Sequence, residues 1–301
     1  MAQHSMPAHE DASVTGTQED IPPAFHFVNQ LAADLSAGQL ELPSYPRAAL
    51  QLQRLLSDEN ADSARIIRIL GAEPVLAARI LRMANSAALN PSGKAIPELR
   101  EAVSRLGFDA LRSAAVGFAI AQLRKAGAYA GIEAQLDALW DECNAVAATC
   151  YVIARASRRF GADTALLCGL VSGIGKLYIL TRAKDHPALL RDHATYAHII
   201  TDWHATIARA VLETWSMSEE IVQAVQNAGT VASDVRSAPS LADVLSVAQT
   251  LVGLGDSREL LGTISTTDRA LQRLGLDAAR CEGLLDESGI ELNSLQEALG
   301  A

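Results

Sequence analysis

Apolar residues recur along most of the chain with a period near 3.6 residues, the signature of helices with one buried face. Ile66, Ile67 and Leu70 share a face of a segment over 63–70, with Asp62 or Ser63 placed to cap it and Gly71 to end it. Pro74 suits the first turn of the next helix, in which Leu76, Ala77, Ile80, Leu81 and Ala84 form a buried stripe that leaves Arg79 and Arg82 outside. The same period predicts helices over 47–56, 98–106, 109–123, 136–160, 163–180, 196–214, 218–227, 241–254, 260–274 and 278–285, with a short amphipathic segment on to 299. Asp109 and Asp163 are candidate caps.

Between these segments lie the breaks. Leu42-Pro43-Ser44-Tyr45-Pro46 must be extended or turned, because each proline disfavours helical geometry in the residue before it. Pro91, Ser92 and Gly93 mark a loop, as do the small residues of 126–131 and the stretch 229–239. Few segments read as strands, and the expected fold class is all-α. Residues 1–22 are polar with little to bury and read as a disordered leader.

Composition sharpens this picture. Hydrophobic residues make up 49% of the 301 but aromatics only 4%, so the helices must pack through small side chains, chiefly Ala and Leu. A formal net charge of -10 sets an average field that repels polyanions, which argues against nucleic acid as a partner. Arg155, Arg158 and Arg159, the densest basic cluster, read as a solvated face, and the helices flanking Gly107-Phe108 read as an ordinary hairpin rather than a DNA-binding helix-turn-helix. No apolar run is expected to span a bilayer, no signal peptide is evident, and the expected compartment is the cytoplasm.

The chemistry-bearing residues form no self-evident site. Cys143, Cys150, Cys168 and Cys281 lack the spacing of a zinc site or redox pair and read as reduced core thiols. His186, His193 and His198, near Asp185 and Asp192, match no ligand pattern. Lys176 follows Gly175 without the frame of a phosphate loop, and Ser172 has no base beside it in sequence. Trp140, Trp203 and Trp215 read as packing residues.

In order, "LPSYPRAALQLQRLL", "EPVLAARILRMANSA", "LREAVSRLGFDALRS", "LWDECNAVAATCYVIA" and "GLVSGIGKL" resemble the HDOD family, relatives of the HD metal-dependent phosphohydrolases. The resemblance spans about 42–229. It implies an HDOD domain over 23–235, with an N-terminal helical half to about 131 packed on an HD-like bundle from about 136, and a C-terminal helical extension over 236–301 packed on the HD-like half.

It also implies where an HD enzyme would hold its metals. The first histidine position is Glu142, and the histidine-aspartate pair is replaced by Ser172 and Gly173. His204 and Trp215 keep the family spacing, Asn227-Ala228 stands where relatives often show a histidine pair, and the last aspartate position is Gln249. A serine hydroxyl is a poor ligand and glycine has none, so Glu142 and His204 are too few for a catalytic metal.

No catalytic, cofactor-binding or metal residue is therefore assigned, and no cofactor. The expected function is a non-enzymatic bacterial signal-transduction protein that binds regulatory or signalling proteins, linked by family resemblance with cyclic-di-GMP, motility, virulence or stress control. The alternatives are a divergent metal-dependent phosphohydrolase and a sensor holding a nucleotide in the vacated cleft; neither a nucleic acid nor a membrane is expected as partner.

Overall fold

The computed structural model describes residues 23–299 apart from 39, 41, 43–45, 59–61, 87–89, 91–92, 126–128 and 231–236. The predicted leader, the Pro-Ser-Tyr part of the entry turn and most of the 229–239 loop lie outside the described residues. Every regular element among those described is helical: α1 (Pro23–Ser36), α2 (Arg47–Leu56), α3 (Ser63–Gly71), α4 (Pro74–Ala84), α5 (Leu99–Lys125), α6 (Glu133–Ser157), α7 (Ala162–Val171), α8 (Ile174–Ala183), α9 (Pro187–Arg191), α10 (His193–Thr214), α11 (Glu219–Asn227), α12 (Leu241–Gly253), α13 (Leu261–Thr267), α14 (Arg269–Leu274) and α15 (Ala278–Leu299). The protein is all-α.

Two apolar cores organise these helices. The smaller is built from α2, α3, α4 and α5, with Leu52, Ile66, Leu76, Ile80 and Leu111 fully buried. The larger gathers α1 and α6 onward, with Phe27, Cys150, Leu167, Tyr178, Val211 and Leu245 inside. Helix α5 is the wall between them: Leu111 and Ala115 face the smaller core and Val116 the larger. Thr164 Oγ1 donates to Asp109 Oδ2 at 3.0 Å, tying α7 to α5. Ser57 Oγ donates to the Ser216 carbonyl at 2.7 Å, tying the end of α2 to the end of α10.

The boundaries follow local chemistry, sometimes against expectation. Asp62 caps α3 by accepting from the Ala64 amide. Asp163 does not cap α7; Gly161 holds the cap position and Asp163 sits in the first turn. Asp109 accepts from Arg112 and Thr164 rather than from a helix amide. The two helices expected on either side of Gly107 are both present within α5 and are separated there by a kink, where Gly107 takes φ 74° and ψ 175°, a conformation open to glycine at little strain. The single helix expected over 260–274 is interrupted at Asp268, whose carboxylate caps α14 through the Ala270 and Leu271 amides, whereas 278–299 is one continuous helix.

Two corrections concern burial. Arg79, expected outside the stripe of α4, is only 5% exposed, because α4 packs against both α5 and α15 and its buried arc is wider than its apolar one. Among the described residues no carboxylate is paired with it and its Nε and Nη1 have no acceptor; burial, and then Arg82, bring its guanidinium down to about 10. The second concerns apolar length. Residues Ala162–Ala183, with mean hydropathy 1.5, are long and apolar enough to cross a bilayer, contrary to expectation, but 89% of that window is buried inside the protein. The backbone breaks there into α7 and α8 at Ser172-Gly173, so this is the centre of the core.

The C-terminal helices share that core. Leu241, Val244 and Leu245 of α12 and Cys281 and Leu284 of α15 join it, and both helices lie against α6. On the surface, Arg155 pairs with Glu287 at 3.2 Å.

Candidate functional site

The break between α7 and α8 brings together the residues that the sequence placed at an HD metal centre. Ser172 closes α7, is 6% exposed, and turns its hydroxyl back to the Gly169 carbonyl at 2.7 Å. Gly173 begins α8, and a Cβ added there would lie 2.5 Å from Cys143 Sγ and 3.1 Å from Leu139 Cδ1. The space that a side chain at Gly173 would enter is therefore taken by α6 side chains. The other two glycines of the segment are helix contacts. A Cβ at Gly169 would stand 2.4 Å from Ala147 Cα, and one at Gly175 would stand 2.0 Å from the His204 carbonyl oxygen. The segment is glycine-rich because α7 and α8 press their backbones on α6 and α10.

Glu142 and His204 do converge here, but around an ammonium group. Lys176 Nζ donates to Glu142 Oε1 at 2.8 Å. His204 is half-buried, with Nδ1 buried and unpartnered. Its imidazole is held below the ordinary value, first by burial and next by the Lys176 charge, with Glu142 opposing. Cys143 is driven up to about 11, mainly by burial and then by Glu142, against weaker opposing contacts from Gly173, Lys176 and Ser172. Its thiol is therefore neutral, packed and unsuited to nucleophilic work.

These residues do not fit a divalent metal. Among the described residues no group of three or more His, Cys, Asp or Glu could hold one. The ammonium of Lys176 already occupies the front of the one carboxylate at the centre, where a cation would have to displace it. The remaining sequence candidates take up other roles. Asn227 ends α11 and donates to Gln223 Oε1, and Gln249 is half-buried on α12. His186 stacks edge-on against Phe27 and faces Gln30, whereas His193 and His198 are exposed and Asp192 caps α10 through Thr195. Trp140 and Trp215 lie in the larger core with Trp203 packed against it, all four cysteines are unpaired and buried, and Arg155, Arg158 and Arg159 are exposed.

Two pairings were not legible in sequence. Lys176 lies 34 residues from Glu142, and no spacing rule connects them. Asp243 is 2% exposed and receives Arg273 Nη2 while its other oxygen accepts from Ser240. The pattern of Ser240 followed three residues later by Asp243 is a capping box and could have been read; the partner on α14 could not.

The HDOD domain model matches residues 42–231, well over half of the chain. No protein of curated function matches. Among solved structures, the chain resembles one from Shewanella amazonensis SB2B described as a candidate metal-dependent phosphohydrolase (TM-score 0.69, 24% identity, covering 91% of this chain and 99% of that one). It also resembles an HDOD domain protein of unknown function from Geobacter sulfurreducens (TM-score 0.63, 22% identity, 89% and 96%). A third is a protein from Marinobacter aquaeolei VT8 described as a candidate signal transduction protein (TM-score 0.59, 20% identity, 93% and 66%). At these identities the likeness is one of fold, and it agrees with the domain match: the chain belongs to the HDOD family.

Proposed function

We propose that this protein is a non-catalytic signalling component that uses the HDOD scaffold as a binding surface for regulatory proteins. The observation that carries this reading is the filled centre: Cys143 Sγ stands where a side chain at Gly173 would go, and Lys176 holds Glu142. A metal hydrolase needs an open coordination position for water or substrate. Here the corresponding space is taken by a thiol and a leucine methyl with an ammonium group beside them, and the His204 Nδ1 has no partner among the described residues. The same packing weighs against a nucleotide lodged at that centre. A signalling role also accords with the description given to the Marinobacter relative.

Metal content and turnover test the reading together. Protein purified without chelators and then incubated with Mn²⁺ should carry far less than one metal per chain and show no hydrolysis of phosphodiester or cyclic dinucleotide substrates. Stoichiometric metal, with turnover that disappears in His204→Ala, would instead establish the divergent phosphohydrolase.

A further inference from the structure

We infer that the face of α8, α9 and α10 beneath α1 is a helix-recognition groove, and that α1 is its tethered occupant, which an amphipathic helix of a partner protein displaces. The partner is defined by chemistry: an aromatic residue, a leucine four positions later and a carboxylate three beyond that, all on one helix face.

That is the pattern α1 presents. Phe27 and Leu31 are fully buried in the larger core, with Val28 and Leu35 packed beside them. The Phe27 ring meets His186, at the start of α9, edge-on with centroids 5.2 Å apart, and His186 Nε2 lies 3.4 Å from Gln30 Oε1. Asp34 Oδ2, nearly one turn past Leu31, accepts from Tyr178 Oη at 2.8 Å and pairs with Arg182 Nη2 at 3.2 Å, both on α8. Residues 27, 31 and 34 thus engage the groove through an aromatic edge, an apolar pocket and a paired carboxylate. Each contact selects a different feature of the helix that fills it.

Two observations set α1 apart from the bundle. It lies outside the stretch matched by the HDOD domain, 42–231, whereas the groove lies within it. The chain also turns at Gly38, with φ 63°, and re-enters the larger core through Leu40 and Leu42, so α1 can leave while the chain beyond it stays anchored. With α1 gone, Tyr178 and Arg182 lose the Asp34 carboxylate, which fixes the charge required of the helix that replaces it.

A helix on a short tether competes at an effective concentration of about 1 mM, so a free helix with about 10 μM affinity for the open groove binds the closed protein about a hundredfold more weakly. The inference rests on the proposed binding role for its purpose, but that role is judged by metal content and turnover, and this one by helix exchange.

NMR titration of the full chain with a synthetic peptide of residues 23–36 tests it. Leu31→Asp, which opens the groove, should bind the peptide at about 10 μM with shifts at Tyr178, Arg182 and His186, and the wild type should bind it at about 1 mM. Adding Arg182→Glu to the opened protein should weaken binding about tenfold, and a peptide carrying Asp34→Arg should restore it. A helical host peptide bearing only the Phe27, Leu31 and Asp34 side chains of α1 should bind within about tenfold of the native one. Circular dichroism reports folding; should Leu31→Asp unfold, Asp34→Arg, at a partly exposed position, opens the groove instead. No binding to a folded, opened variant would overturn the inference. So would equal affinity for the wild type, which places the peptide elsewhere, or no wild-type binding at millimolar concentration, which makes α1 a fixed part of the fold.

Discussion

The α7–α8 corner and the cleft beside α12 are opposites. At the corner, Gly173 lies against Cys143 and Leu139, with the Lys176–Glu142 ion pair beside them. At the cleft, which lies between α12 and the α13–α14 turn, the described wall is polar, and Arg273 pairs with Asp243 while its buried Nε has no acceptor among the described residues. The first region is packed through glycine contacts, and the second is lined by polar side chains. The difference teaches that space in the interior is set by helix packing: where glycines let helices close, neighbouring side chains take up the room.

The largest effect that would break this contrast lies at the glycine contacts. Gly175→Ala should cost about 3 kcal/mol or more in a urea titration, because its Cβ would meet a backbone carbonyl of α10 that cannot swing aside. A loss of only a few tenths would mean that α8 and α10 are not in backbone contact and that the corner is looser than described.

A smaller effect concerns pH. The His204 proton is bound less readily in the folded protein than in the unfolded chain, so stability should be full above the ordinary imidazole range and should fall as pH drops through that range. His204→Gln should flatten that part of the stability–pH curve. Lys176→Met should move the His204 titration upward, since the ammonium is the second cause of its depression, and NMR of the imidazole would register the shift. With both partners of the Lys176–Glu142 pair partly exposed, its removal should change overall stability by at most about 1 kcal/mol.

Much of the fold was legible because helical periodicity and capping are local. The spacing of Leu76, Ile80 and Ala84, the proline opening α4 and the Asp62 cap all report on a few neighbouring residues, and all took the expected form. What failed was non-local. The burial of Arg79 depends on α15 arriving from far along the chain, and the split of 163–180 falls where Gly173 lies against Cys143 and Leu139 of α6. The site was half legible in the same sense. That Ser172 and Gly173 cannot ligate a metal follows from their side chains alone, whereas the thiol behind Gly173 and the lysine on Glu142 exist only in three dimensions.

The central claim, that the space beside Gly173 is filled rather than vacant, is tested most directly by a double-mutant cycle between Gly173 and Cys143 read by urea unfolding. Gly173→Ala should destabilise the wild-type protein by about 1–3 kcal/mol through overpacking against Sγ. In a Cys143→Ala background the same change should cost less, by a coupling of about 1 kcal/mol or more. An equal cost in both backgrounds, or a Gly173→Ala protein as stable as wild type, would mean that the position is open and would contradict the account.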